Sequence, residues 1–510
     1  MKFILNKIDN FLNKITMYKV VLYYLILLWV VALIFSCVGI LPYAPLLLLF
    51  SMLAILIISW GANALFAYVF EVPANTESIY ITAFILALII TPATTTSEFI
   101  FLGWVSILAM ASKYIFAIKH KHVFNPAALA VAITTIAING TASWWVGTLC
   151  MVPFVLIGGF MIIRKIVRQD LAYAFFFSAF ASILAFSIFN GGDILSTISR
   201  ALLYSPLLFF TFVMITEPLT TPPSRALRVM YGILVGLLFA PQVHFGSFYL
   251  TPELALLIGN IFSYLISPKS RLTLKLKKAI QITPDTAEFV FLPNRQMKFK
   301  PGQYLEWTLG HDKTDSRGNR RYFTISSSPT EKELRLGVKF YPNSSTYKKA
   351  LAGMKKGDTL IASQLAGDFV MPKNKNRKMT FIAGGIGVTP FRSMVQYLVD
   401  MKEKRDVNMI YANKTVEDIA YKDFFDSASQ SPLNIKMIYT ISDTKKIPEK
   451  WPGYVGYVNE KMIIQEIPDY ETRMFYISGP RTMVSSTEEV LKNLGIRNSH
   501  IKTDYFPGFA

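Results

Sequence analysis

The chain has 510 residues, 52% hydrophobic and 17% charged, with two cysteines and a net charge of +19. Cys37 and Cys150 lie far apart in apolar runs, which excludes a disulfide framework and any iron–sulfur cluster held by four cysteines of this chain. The basic excess falls in loops between apolar runs in one half and among acids in the other, which points to membrane surfaces and anionic cofactors and away from nucleic acid.

Residues 1–268 read as a polytopic α-helical membrane domain. Apolar segments near 20–40, 44–70, 78–93, 99–118, 125–138, 144–163, 171–189, 200–216, 226–240 and 251–267 predict about ten transmembrane helices. Lys2, Lys7, Lys14 and Lys19 precede the first. Lys119 and Lys121, then Arg164, Lys165 and Arg168, then Arg225 and Arg228, then Lys269 and Arg271 fall on the same side of the predicted bundle. The other side carries Glu98, Asp193, Arg200 and Glu253. Positive charge marks the cytoplasmic side, so the expectation is a multi-pass protein of the inner, cytoplasmic membrane with both termini in the cytoplasm, in contact with membrane lipid. His120, His122 and His244 flank spans, so no two spans carry facing histidines for a haem, and no metal site is read.

Polar residues and proline interrupt the apolar pattern twice, at Phe124-Asn125-Pro126-Ala127-Ala128 and across Thr216-Glu217-Pro218 to Ser224. Such backbone is tolerated at membrane depth where it lines a site, and one break in each half suggests an internal repeat with a ligand between. Phe124-Asn125-Pro126-Ala127, with Thr216-Glu217-Pro218-Leu219-Thr220 and the Arg225…Gly232…Gly236 helix, resembles the D subunit of Rnf complexes and the B subunit of the sodium-translocating NADH:quinone oxidoreductase. The resemblance covers about residues 20–268 and implies ten transmembrane helices, membrane electron transfer and a flavin held there, FMN or riboflavin. It makes Asn125, Pro126, Thr216, Glu217 and Pro218 candidate cofactor-binding residues. That family attaches FMN to a threonine in a Ser-Gly-Ala-Thr-like loop; Ile138-Asn139-Gly140-Thr141-Ala142-Ser143-Trp144-Trp145 lacks the motif. A phosphoester to Thr141 or Ser143, a non-covalent flavin, or none stay open.

Residues 269–277 are a basic connector suited to anionic headgroups. Short β-rich runs up to about 372 predict an antiparallel β-barrel, domain 269–375. Alternating strand and helix patterns from 378 predict an α/β domain, 376–510. Late in the barrel, Arg321-Tyr322-Phe323-Thr324-Ile325-Ser326-Ser327 offers what FAD needs. It has a cation for the pyrophosphate, an aromatic along the ring, and small hydroxyls beside the flavin N5 edge, with Thr324 and Ser327 as candidates. Lys339 with Ser344-Ser345-Thr346 forms a second candidate phosphate cradle. The segment resembles the Arg-x-Tyr-Ser/Thr signature of the ferredoxin–NADP reductase family. Its tyrosine is Phe323 here, so the hydroxyl contact to the ribityl chain is lost or comes from Tyr322.

Gly384-Gly385-Ile386-Gly387-Val388-Thr389-Pro390 joins a buried strand to a helix start, where glycines let backbone approach a pyrophosphate. Read with Ser478-Gly479-Pro480-Arg481-Thr482-Met483, it resembles the same family's pyridine-nucleotide domain. Lys502-Thr503-Asp504-Tyr505-Phe506-Pro507-Gly508-Phe509 resembles that group's last strand, with Asp504 and an aromatic over the flavin face. Thr324 and Asp504 are thus the candidate catalytic residues. Asn413-Lys414-Thr415 replaces the Ser-Arg pair of NADPH users, which favours NADH over NADPH.

The expected function is an oxidoreductase that passes electrons from cytoplasmic NAD(P)H through FAD into the membrane domain. The acceptor would be a quinone, a partner or an external species. The alternative is a redox-driven or redox-gated cation transporter with Glu217 as its intramembrane charge.

Overall fold

The computed structural model describes residues 8, 12, 15–71, 76–118, 121–246, 248–267, 271–311, 314–315, 318–444 and 447–504. Lys2, Lys7, Lys14, Lys119, His120, Lys269 and residues 505–509 lie outside the described residues, as does the side chain of Lys121. The chain divides into two compact units, Met1–Ser267 and Pro268–Ala510.

The first unit is helical and apolar all round. Leu25, Leu28 and Ile55 are buried while Ile57 is 69% and Phe177 64% exposed, so these helices carry apolar residues on their outer as well as their inner faces. Among the described residues, Met17–Cys37, Pro45–Val69, Thr96–Ile115 and Gln169–Phe189 are long and apolar enough to cross a membrane. A fifth candidate is the pair Ile194–Leu203 and Leu207–Met214, bent by 54°. The other expected segments fold as shorter helices, Thr76–Ile89, Pro126–Ile138, Val152–Ile166, Arg225–Leu238 and Pro252–Ile266.

Two expected boundaries are corrected. The run at 144–163 becomes helical only at Val152, because Trp144 takes a left-handed conformation (φ 53°) and its N–H donates to Ile89 O at 2.8 Å. Val146 N likewise donates to Leu88 O, so residues 144–146 satisfy the last carbonyls of the Thr76–Ile89 helix. The run at 200–216 breaks at Pro206 and closes as a π-helical turn, Phe210–Met214. Arg225–Leu238 packs on Gln169–Phe189 through Gly232 and Gly236. A Cβ on Gly232 would stand 3.0 Å from Leu171 O and one on Gly236 2.8 Å from Ala179 N, an approach only small residues allow.

The second unit begins with six antiparallel strands: β1 (Leu272–Thr283), β2 (Thr286–Pro293), β3 (Tyr304–Thr308), β4 (Arg320–Thr324), β5 (Leu334–Lys339) and β6 (Thr359–Ala366). Their order is β4-β3-β6-β1-β2-β5. In β1 the alternation of buried Leu272, Leu274 and Leu276 with exposed Thr273, Lys275 and Lys277 turns one face to the barrel core.

A parallel sheet follows: β7 (Met379–Gly384), β8 (Val407–Asn413), β9 (Ile435–Ile441), β10 (Tyr454–Val455), β11 (Met474–Ser478) and β12 (Ile501–Asp504), in the order β10-β9-β8-β7-β11-β12. Every residue of β7 is buried, as expected of a strand covered on both faces. From β7 the chain winds first toward β8 and later returns to β11 on the other side. The crevice at the carboxyl ends of β7 and β11 is therefore the topological switch point, where ligands of open α/β sheets bind.

Candidate functional site

At that switch point the two glycine motifs meet backbone to backbone. A Cβ on Gly387 would stand 2.5 Å from Gly479 Cα and 2.6 Å from Ser478 O. One on Gly384 would stand 2.5 Å, and one on Gly479 2.8 Å, from Met483 Sδ. Gly385 has φ +51° with open space where a side chain would be, and its carbonyl accepts from Tyr411 Oη at 3.1 Å. The turn Gly385–Val388 feeds the helix Thr389–Asp400, with Pro390 in its first turn. Bare backbone facing a helix start is the arrangement that accepts a pyrophosphate. Asp504 pairs with Ser478 in the sheet, one residue from Gly479, and desolvation pushes its carboxyl up to about 7.

Strand β4 presents the flavin signature. Arg321 is buried, and its guanidinium lies 5.1 Å from the Tyr347 ring and 3.6 Å from Asp315. The Asp315 carboxylate also accepts from Thr346 N at 3.2 Å, and Ser345 caps the helix Thr346–Ala352. An acidic group thus bridges the arginine and the amide that the sequence assigns to a phosphate. Those residues fit the pyrophosphate of FAD, as the glycine cradle, which a Cβ would fill, fits that of NAD(P)H.

Phe323 shares the Arg321 face of β4, 6.1 Å from Tyr347, whereas the Tyr322 hydroxyl donates to Glu306 at 2.9 Å. Thr324 is buried at the strand end opposite Tyr304. Ser327 is committed to the scaffold, since its hydroxyl accepts from Arg335 N at 3.1 Å. The Lys339 ammonium pairs with Asp285 at 2.8 Å and lies 3.7 Å from Asp418. The cation on that turn is Lys348, which donates to Lys339 O at 2.8 Å and lies over the Tyr341 ring. Lys348, Asp315 and His311, whose Nε2 is 3.1 Å from the Thr346 hydroxyl, were not singled out in the sequence. Only their neighbourhood to Ser344-Ser345-Thr346 could have marked them.

In the first unit the two breaks converge. Asn125 Nδ2 donates to Glu217 Oε2 at 2.9 Å, while Asn125 Oδ1 caps its own helix by accepting from Ala128 N. Glu217 Oε1 is 2.9 Å from His122 Nε2, and Thr220 donates to Oε2 at 3.3 Å. Asn125 N donates to Asn260 Oδ1 at 2.9 Å, and Asn260 Nδ2 to the Tyr231 hydroxyl at 3.0 Å. Pro126 is buried as the first helical residue, and Pro218 follows Glu217 in the second break. The Thr216 hydroxyl turns back onto Phe212 O at 2.9 Å. A cavity of about 320 Å³, lined by Ile115, Phe116, Val123, Phe124, Ile261 and Tyr264, shares sequence neighbours with this cluster. His122, Asn260 and Tyr231 were missed as members, the last two because they sit inside apolar runs.

Residues 273–369 match the family described as oxidoreductase FAD-binding domain, and residues 381–489 the oxidoreductase NAD-binding domain. Both matches fall in the second unit. The NADH-cytochrome b5 reductase 1 of Mortierella alpina is 31% identical over 235 residues, 45% of this chain and 77% of that one. The glycine betaine monooxygenase reductase subunit of Chromohalobacter salexigens is 27% identical over 232 residues, so this chain spans only 62% of that relative's length and 45% of its own is matched. Among solved structures, the FAD/NAD-binding domain of nitric oxide dioxygenase from Vibrio cholerae matches at 19% identity and a TM-score of 0.41, over 47% of this chain and 99% of that one.

Proposed function

The chain belongs to the family of FAD- and NAD-binding oxidoreductases that includes NADH-cytochrome b5 reductase, and from that premise we propose that its membrane half receives the electrons its reductase half takes from NAD(P)H. The protein is an NAD(P)H-dependent FAD oxidoreductase. Bound FAD supplies the conversion between a two-electron hydride donor and one-electron acceptors. The residues around it do the rest. Gly385, Gly387 and Gly479 bring bare backbone to the nucleotide's pyrophosphate. Arg321, Ser345 and Thr346 neutralise that of FAD. Thr324 offers a hydroxyl at the flavin edge, and Asp504 stands at the end of the neighbouring strand.

The first unit, in this reading, is a ten-segment domain of the cytoplasmic membrane with both termini inside. Its short helices Thr76–Ile89, Pro126–Ile138 and Pro252–Ile266 complete it as broken or re-entrant pieces. The observation that carries the proposal is the Asn125–Glu217 hydrogen bond, which joins the two breaks; Phe124, next to Asn125 in sequence, lines an apolar cavity with Phe116 and Tyr264. An amide and a carboxylate joined across two helix breaks suit a flat, hydrogen-bonding ring, either a second flavin or a quinone head. Beyond it the acceptor is a quinone, a partner's cofactor or an external species.

Extracting cofactors from the purified chain before and after protein precipitation tests the second-flavin reading. FMN or riboflavin should accompany FAD, and FAD alone would remove that part.

NADH is the proposed donor. Asp443, whose backbone N–H donates to Lys414 O at 3.0 Å, stands beside Asn413 and Lys414 at the carboxyl edge of β8 and β9. An acid there suits a ribose 2′-hydroxyl and repels a 2′-phosphate. The kcat/KM for NADH should exceed that for NADPH by about tenfold, the discrimination of one such contact, and a preference for NADPH would contradict it.

A further inference from the structure

The helix that starts behind the nucleotide-binding glycines also grips the end of the flavin strand. Arg392, in the first turn of Thr389–Asp400, is 7% exposed, and its Nη1 donates to Ser326 O at 3.1 Å. The next residue, Ser393, is fully buried, and its hydroxyl donates to Ser327 O at 2.6 Å. Consecutive helix residues therefore hold the two consecutive carbonyls that follow Thr324-Ile325.

The grip is closed on its far side. The Arg392 guanidinium forks onto Glu331, with Nη2 donating to Oε1 at 3.1 Å and Nη1 to Oε2. Glu331 Oε2 also accepts from Ser328 N at 2.7 Å, and Oε1 lies 3.0 Å from Arg335 Nε. Arg335 reaches Glu288 Oε2 at 2.9 Å, and Glu288 Oε1 accepts from the Tyr421 hydroxyl at 3.0 Å. The turn after the flavin strand is thereby fastened to the nucleotide-binding half at Arg392, Ser393 and Tyr421.

We propose that Arg392 is a positioning residue for hydride transfer: its fork onto Glu331 and Ser326 fixes the flavin-facing end of β4 against the helix whose preceding loop, Gly385–Gly387, holds the dinucleotide. Four residues separate Gly387 from Arg392, and one separates Thr324 from Ser326, so one short link spans the two ends of the reaction. Hydride transfer needs the reacting atoms about 3–3.5 Å apart, and a displacement of about 1 Å costs on the order of 100-fold. An ion pair that served stability alone would need neither the two backbone carbonyls nor the fork. A lysine at 392 could reach Glu331, yet it lacks the planar fork to hold Ser326 O at the same time.

The inference rests on the FAD and NAD(P)H placement above, and the experiment separates the two. The full-length protein and its Arg392→Ala, Arg392→Lys and Ser393→Ala variants are purified in detergent with FAD bound. Visible circular dichroism of the bound flavin is recorded before any NADH is added, and flavin reduction is then followed in a single turnover at saturating NADH. If the native protein is not reduced, the placement itself fails and the inference with it. The expected result is an altered flavin dichroism and a rate per bound FAD about 100-fold lower for Arg392→Ala, with Arg392→Lys restoring thermal stability but not the rate. Should Arg392→Ala not fold, Ser393→Ala carries the test, with a drop of about three- to tenfold expected for losing one of the two carbonyl bonds. Native dichroism together with a rate per FAD within threefold of native in the folded variants would overturn the proposal.

Discussion

Replacing Arg321 with alanine should strip FAD from the protein while leaving the helical unit folded. Arg321 is the buried cation of the flavin strand, and in the structure its charge is met by Asp315 and by the face of Tyr347. Losing a charge-assisted contact to a phosphate costs about 1.5–3 kcal/mol, which corresponds to FAD binding weakened about 10- to 150-fold. Arg321→Lys should recover part of that loss, because a point charge remains but the guanidinium fork does not. FAD content per chain after gel filtration reads the effect directly. Full occupancy in Arg321→Ala would place the pyrophosphate elsewhere. Helical circular dichroism should not change, since Asp315, Gly318, Arg320 and Tyr347, which the arginine meets, all lie in the second unit and the long helices in the first.

Gly387→Ala should strike the other ligand. Its new Cβ would meet Gly479 Cα at 2.5 Å, Gly479 N at 2.6 Å and Ser478 O at 2.6 Å, all backbone of β11 and the turn after it. No flexible side chain can yield, so the two glycine turns must part by about 1 Å to reach ordinary contact. A shift of about that size at a site of hydride transfer costs on the order of 100-fold in kcat/KM for NADH. FAD should stay bound, because Arg321, Thr346 and Tyr347 do not touch this junction. Steady-state kinetics with ferricyanide and a flavin count on the same sample check both halves of the expectation, and near-native kcat/KM would contradict it.

The reductase half was readable because its chemistry is carried by residues with few other uses. Gly384, Gly387 and Gly479 are needed where backbone passes within contact of backbone, and the structure puts their motifs against each other although they lie far apart in sequence. Lys339 was harder to read for the opposite reason: a lysine at a strand end can serve a phosphate or a carboxylate, and here it pairs with Asp285, whose backbone carbonyl accepts from Phe340 N. In the helical unit, proline and polar residues revealed both breaks, Asn125-Pro126 and Glu217-Pro218. Asn260 and Tyr231 stayed hidden, since Asn125 and Asn260 are 135 residues apart and no local period encodes that pairing. Hydropathy also missed the turn at Trp144, whose left-handed backbone leaves no trace in an apolar run.

The proposed electron route leaves the reductase half through the site where Asn125 meets Glu217. Glu217→Gln keeps the side chain's size but removes the charge held by His122, Asn125 and Thr220. Native and variant full-length protein are reconstituted into liposomes containing quinone or a lumenal acceptor. NADH is added, and two rates are taken from each sample: reduction of ferricyanide on the NADH side, and reduction of the quinone or the enclosed acceptor. Ferricyanide reduction should stay within about twofold of native, because the charge lies outside the FAD unit. The second rate should fall at least about tenfold, as expected when a partly buried charge-assisted contact is lost. Equal rates for native and variant on the membrane acceptor would contradict this route.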